Sequence, residues 1–304
     1  MNSSPEFKLR DAGSYDEVAG DFDELSRRYN AAFADRLIEI AAIRSGDAVL
    51  DVATGTGLCA LAAAGPAGAA GRVLGVDLSE GMLDLARRKA SQQAPSVEFR
   101  RMDAEALELP DASFDVVVSL FALLHFPAPE RALGEMRRVL KPGGRIAIAA
   151  GSGPPLFSRF ALKRVVALLA GALRRAPELR APQALDALLD RALPAHGREE
   201  TSLAGYGHAR AGRIDSLVRA AGLAVRKTHW ESLTSEIRSP EEFWDVQRTF
   251  SSRARKRLAA ASPAEAAAAR ASLIESARRV QAAGGRLVYT RAAFFVVAAR
   301  PAEA

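Results

Sequence analysis

The 304 residues carry 49% hydrophobic side chains, enough to bury one large α/β core or a core with an inserted subdomain. A single cysteine, Cys59, excludes an internal disulfide and a zinc framework. The net charge of +6 does not mark a nucleic-acid partner: the arginines are scattered among acids, and the one dense cluster, Arg253-Ala254-Arg255-Lys256-Arg257, lacks interleaved aromatics and reads as a solvated helix face.

The N-terminus, Met1 to Arg10, is polar, and the longest apolar run, Val165 to Leu173, falls short of the ~20 residues of a membrane span. A cytoplasmic protein with no membrane span is expected. Residues 1–45 read as a helical lid. Phe22, Leu25 and Tyr29, then Phe33, Leu37, Ile38 and Ile40 to Ile43 recur at helical spacing, and Tyr15 is placed to reach into a ligand site. Gly46-Asp47 breaks that pattern before the first strand.

Val49 to Val52 is a short apolar run ending in Thr54-Gly55-Thr56-Gly57, and a small-residue helix follows. Glycines at a strand's carboxyl end allow a sharp turn, and the helix start beyond it offers free N–H groups to a ligand. Strand two, Arg72 to Asp77, ends in a carboxylate twenty positions after Gly57, the place from which an acid reaches ribose hydroxyls. Ser79 caps a helix from Glu80 towards Ala90, with Met82, Leu83 and Ala86 inward. Strand three, Val97 to Met102, delivers Asp103 at its end. Strand four, Phe114 to Leu120, is nearly all apolar and so central. A helix from Glu130 to Leu140 is stopped by Lys141-Pro142-Gly143-Gly144, and Arg145 to Ala150 forms strand five.

Such strand–helix repeats predict a doubly wound, mostly parallel seven-stranded α/β sheet with ligands at the strands' carboxyl ends. The cofactor-binding core is placed at 46–150 and an inserted, strand-free helical cap at 151–212, its longest helix being Leu156 to Arg175. The remainder of the core, 213–304, holds a helix at Arg213–Ala221, a strand at Ala224–Trp230 and a final strand at Leu287–Ala299. A two-helix insertion is expected at 239–284, its helices opened by Ser239-Pro240-Glu241-Glu242 and Ser262-Pro263-Ala264-Glu265.

Gly55, Gly57 and Ala60 alone also fit a nicotinamide-dinucleotide protein. The residues around them resemble the class I S-adenosylmethionine-dependent methyltransferases. Leu50-Asp51-x-x-x-Gly55-x-Gly57 is similar to their first motif, and Val76-Asp77-Leu78-Ser79-x-x-Met82-Leu83 to the second. Asp103-Ala104-x-x-Leu107-x-x-Pro110 with Phe114-Asp115 resembles the third, and Leu140-Lys141-Pro142-Gly143-Gly144 the segment leading into strand five. The likeness spans roughly 45–150 and implies a Rossmann-like fold and S-adenosylmethionine as cofactor. By that resemblance Asp51 helps hold the methionine ammonium, and Gly55 and Gly57 leave backbone room. Asp77 takes the ribose hydroxyls with Leu78 on the adenine face, and Asp103 takes the adenine amino group with Ala104 beside it. Tyr15, Thr54, Met82 and Ser119 complete the implied cofactor set.

A hydroxyl acceptor needs a proton removed, most often by histidine. The histidines are His125, just past strand four, His196, His208 in Gly205-Tyr206-Gly207-His208, and His229 beside Trp230; His125 and His208 are the candidate bases, and His229 reads as packing. No metal-ligand spacing stands out. The motif block resembles the branch acting on quinone-like or polyketide-like small molecules, although Phe121 to Phe126 lacks the Arg-Asn pair of quinone C-methyltransferases. The expectation is O-methylation of a small apolar acceptor in secondary metabolism. C- or N-methylation, a non-methylating cyclase of the same fold and a nicotinamide oxidoreductase stand as alternatives. The sequence leaves the oligomeric state open.

Overall fold

The computed structural model describes residues 5–152, 178–181, 183–193 and 211–302. In chain order they form α1 (Pro5–Asp16), α2 (Ala19–Tyr29), α3 (Ala31–Ala41), β1 (Ala48–Val52), α4 (Leu58–Ala67), β2 (Arg72–Asp77), α5 (Glu80–Gln93), β3 (Val97–Arg101), β4 (Phe114–Leu120), α6 (Pro129–Val139) and β5 (Leu140–Gly151). Then come β6 (Glu178–Ala181), α7 (Gln183–Ala192), α8 (Ala211–Ala220), β7 (Ala224–Glu236), α9 (Pro240–Phe250), α10 (Ser252–Ala260), α11 (Pro263–Ala282) and β8 (Arg286–Ala299).

The chain divides into two units, one drawn from 1–153, 202–231 and 293–304, the other from 154–201 and 232–292. Most of the segment taken as a cap and all of the 239–284 insertion therefore belong to one unit. The expected helix at Leu156–Arg175, His196 and His208 lie outside the described residues.

In the first unit the parallel strands run in the order β3-β2-β1-β4-β5; β8 adds antiparallel to β5, and β7 pairs β8. This is a Rossmann-like α/β sheet of mostly parallel strands. β4 lies between β1 and β5, and Val116, Val117 and Val118 are wholly buried, as a strand covered on both faces requires. α3 presents Phe33, Ala34, Leu37, Ile38 and Ala41 to the core, and α6 presents Ala132, Leu133, Met136 and Val139, both at helical spacing. Val52 pairs Val76 and Asp77 pairs Arg101, so the carboxyl ends of β1, β2 and β3 finish side by side.

The Lys141-Pro142-Gly143-Gly144 segment does not simply stop a helix. β5 already begins at Leu140, opposite Phe114, and the register shifts before Val116 meets Arg145. Gly143 turns at φ +76° and its N–H donates to the Arg300 carbonyl at 3.0 Å. Lys141 Nζ donates to both oxygens of Asp115, at 2.9 and 2.8 Å, while Asp115 Oδ2 also accepts the Ala48 N–H at 2.9 Å. Burial works to raise the Asp115 pKa, but Lys141, the Ala48 N–H and Arg145 outweigh it and hold the carboxyl below its ordinary value.

In the second unit β6 runs parallel to the start of β8, from Glu178 opposite Arg286 to Ala181 opposite Tyr289. The segment expected to be strand-free thus contains a strand, four residues too short to show a pattern. Ser239 and Ser262 cap their helices as expected, the second with both bonds of the capping box. Between those helices stands a third, α10, capped by Ser251. It carries the basic cluster, which is not a solvated face: Arg255 and Arg257 are buried. Arg257 donates to the Leu189 and Leu193 carbonyls at 2.7 and 3.0 Å and pairs Asp190 at 2.6 Å, closing the carboxyl end of α7. Among the described residues no helix is long and apolar enough to cross a membrane.

Candidate cofactor site

The turn after β1 is held from inside. Thr54 N–H donates to the Val76 carbonyl at 2.9 Å, and Asp51 Oδ2 accepts Thr54 Oγ–H at 2.6 Å and Ala60 N–H at 3.0 Å. Asp51 is 1% exposed. Burial pushes its carboxyl up to about 7; the bonds from Thr54 and Ala60 oppose the rise, and the nearby Asp77 charge adds to it. Gly55 (φ +54°) and Gly57 (φ +83°) take left-handed backbone that suits glycine. A Cβ at Gly57 would lie 2.9 Å from the Phe99 ring, so packing against β3 excludes a side chain there. At Gly55 nothing stands closer than Phe22, at 3.9 Å.

At the end of β2, Asp77 Oδ2 accepts the Gly55 N–H at 2.8 Å and Oδ1 the Ser79 N–H at 3.0 Å. Burial raises its pKa against the pull of the Ser79, Gly55 and Leu78 N–H groups, with Asp16 adding to the rise. Leu78 is half-buried, whereas Met82 is packed inside α5 and buried. At the end of β3, Asp103 Oδ1 accepts the Glu105 N–H at 2.9 Å, Oδ2 is paired with Lys8, and Ala104 is buried beside it. Ser119 is buried too, its hydroxyl donating to the Val52 carbonyl at 2.9 Å, which braces β4 against β1. The fold therefore brings Asp77, Leu78, Asp103 and Gly55 to one row of strand ends. Asp51, Thr54, Met82 and Ser119 stand just beneath, as support.

Past β4, a short 3₁₀ turn (Leu123–His125) carries His125, which is exposed; the Tyr15 ring meets it edge-on at 5.9 Å and 80°. Tyr15 also meets Phe22 at 5.9 Å, which sets α1 and α2 over the strand ends. His229 is half-buried, 6.1 Å from the Phe295 ring and 3.4 Å from Glu231.

Four residues at these strand ends escaped sequence reading. Asp16 Oδ1 accepts the Ser79 hydroxyl at 2.6 Å and the Gly81 N–H at 2.9 Å, tying α1 to the start of α5 across more than sixty positions. Lys8 reaches Asp103 from the same helix. Ala53 (φ +55°) and Phe121 (φ +58°) hold left-handed backbone at the ends of β1 and β4, strain of about 1–3 kcal/mol each that clusters where ligands bind. Only the position of Ala53 beside the glycine turn hinted at any of this.

Among the described residues, Asp16, Asp51 and Asp77 have no ion-pair partner. Asp103, by contrast, is paired with Lys8, so the strand ends carry acids in two states, matched and unmatched by a cation. The fold is that of a Rossmann-like α/β protein, and the comparisons with known proteins give its class as an S-adenosylmethionine-dependent enzyme. A methyltransferase domain family matches residues 50–148. The demethylmenaquinone methyltransferase of Thermus thermophilus is 36% identical over 195 residues, 58% of this chain and 88% of its own length. The aklanonic acid methyltransferase DauC of a Streptomyces species is 31% identical over 185 residues, 59% of this chain and 82% of its own. Among solved structures, the [4+2]-cyclase SpnF shares the fold with a TM-score of 0.51 at 21% identity, covering 88% of this chain and 81% of that one. The chain belongs to the class I S-adenosylmethionine-dependent methyltransferases, in the branch that acts on small molecules.

Proposed function

We propose that the enzyme methylates a hydroxyl oxygen on a planar, oxygen-rich small molecule of quinone or polyketide type. The observation that carries the reading is the row of strand-end acids ending at an exposed histidine: Asp77 opposite Arg101, two residues before Asp103, and His125 past β4 in edge contact with Tyr15. The names of the relatives, demethylmenaquinone and aklanonic acid methyltransferases, support the acceptor class. The lack of an Arg-Asn pair in Phe121 to Phe126 supports oxygen over ring carbon.

In this reading Asp77 holds the ribose hydroxyls and Asp103 the adenine amino group. The backbone at Gly55 lies open to the ligand, and a cation bound beside Asp51 and Asp77 offsets the burial that raises their pKa values and so favours their charged forms. When bound, S-adenosylmethionine supplies a methyl group activated by its sulfonium. His125 accepts the proton of the acceptor hydroxyl and passes it to solvent, and Tyr15, from α1, limits the water that reaches it. Residues 1–45 act as the lid.

The test is methyl transfer to a panel of hydroxylated naphthoquinones and anthraquinones, with the product's methylated atom assigned by NMR. His125→Ala is expected to slow transfer by about 10²-fold or more while leaving S-adenosylhomocysteine affinity unchanged. A ring-methylated product refutes oxygen as the acceptor, and an unslowed variant refutes His125 as the base.

A further inference from the structure

Helix α1 touches the strand ends at three places. Asp16 binds Ser79 and Gly81 at the end of β2, and Tyr15 meets His125 past β4. The third contact differs in kind. Lys8 Nζ lies 2.6 Å from Asp103 Oδ2 and 2.6 Å from Glu105 Oε2. With Oδ1 already bonded to the Glu105 N–H, both oxygens of Asp103 are engaged, and Asp103 is the carboxylate assigned to the adenine amino group.

We propose that Lys8 is a latch that competes with the cofactor: its ammonium holds the oxygen of Asp103 that the adenine amino group takes, and cofactor entry moves Lys8 wholly onto Glu105. This deepens the cofactor reading above and rests on it. The geometry makes the exchange feasible. Glu105 is fixed, its Oε1 accepting the Ala128 N–H at 2.8 Å, and its side chain is only 2% exposed. An ammonium with three donors keeps that buried partner when Asp103 is released, so the Lys8 charge is not left unpaired, while Asp103 keeps the Glu105 N–H and gains the amine donor. Although burial opposes it, the bonds to Asp103 and Glu105 hold the Lys8 pKa above its ordinary value, so the competitor stays charged. Displacing it lowers apparent cofactor affinity by the fraction of molecules in which the latch is closed.

Two substitutions separate this latch from a lysine that merely fastens α1. Lys8→Met keeps the stem and removes the competitor, and it is expected to bind S-adenosylhomocysteine about tenfold more tightly than the wild type by calorimetry. Glu105→Gln leaves Lys8 with Asp103 as its one anionic partner and is expected to bind more weakly, and Lys8→Arg should restore wild-type behaviour. Hydrogen exchange of the full chain should show residues 5–9 loosening on addition of S-adenosylhomocysteine while the Asp16 end stays protected. Equal or weaker binding by Lys8→Met, or tightening of the whole helix by the ligand, overturns the latch and leaves the cofactor reading standing. No binding by the wild type or any variant overturns the cofactor reading, and the latch with it.

Discussion

The two ends of the first unit's sheet treat charge in opposite ways. At the amino ends, Asp115 faces Lys141 and accepts the Ala48 N–H, and Asp47 faces Arg145 at 2.7 Å. At the carboxyl ends of β1 and β2, Asp51 and Asp77 face backbone N–H groups and hydroxyls but, among the described residues, no cation. Both pairs of acids belong to the stretch that resembles one family. The difference shows that a motif mixes groups that close the fold with groups kept open for a ligand. Geometry sorts them where spacing does not: Asp47 and Asp115 are each fastened by a cation, Asp51 and Asp77 are held by N–H and hydroxyl donors alone, and Asp103 stands between the two cases, paired with Lys8 from α1.

The largest effect that would sharpen this contrast comes from Asp51. Its folded pKa of about 7 lies above the ordinary 3.8, so the native state binds the extra proton between those values. Stability therefore falls as pH rises from about 4 through 7, by at most about 4 kcal/mol, and the deficit is complete above 7. Urea unfolding at pH 5 and pH 8 should show the wild type losing stability over that interval and Asp51→Asn losing much less. Equal pH dependence in the two proteins would contradict the burial argument.

Asp115→Ala breaks the opposite end. It is expected to cost about 1–2 kcal/mol of stability, from the lost Ala48 bond and the half-exposed Lys141 pair, with S-adenosylhomocysteine affinity unchanged. A drop in affinity there would blur the division between the two ends. The smallest effect expected is from Ala53→Gly, which relieves left-handed strain at the β1 turn and should raise Tm by about 2 °C, near 1 kcal/mol. A lower Tm would mean that the Ala53 side chain contributes more than its backbone costs.

Much of this was legible in the chain. β2 and β4 fall where the apolar runs end, and the Ser79, Ser239 and Ser262 caps are where the capping residues stand, because these signals are local. The positions of Asp51, Asp77 and Asp103 were readable too, since each lies within two residues of the carboxyl end of its strand. What stayed hidden is non-local. Nothing near Lys8 or Asp16 announces Asp103 or Ser79, far along the chain. β6 is too short to carry a period, and Arg255 and Arg257 look like surface until the carbonyls at the ends of α9 and α7 take their guanidinium groups. A second requirement for glycine at 57, room for the Phe99 ring, stayed hidden because Phe99 comes from a strand the glycine turn does not mention.

The central claim is that the unmatched acids at the carboxyl ends hold the cofactor, and calorimetric titration of S-adenosylhomocysteine into the wild type and Asp77→Ala tests it most directly. The account predicts micromolar or tighter binding to the wild type and about a hundredfold loss in the variant, the worth of hydrogen bonds to a charged group. Undiminished affinity in a folded Asp77→Ala would contradict it.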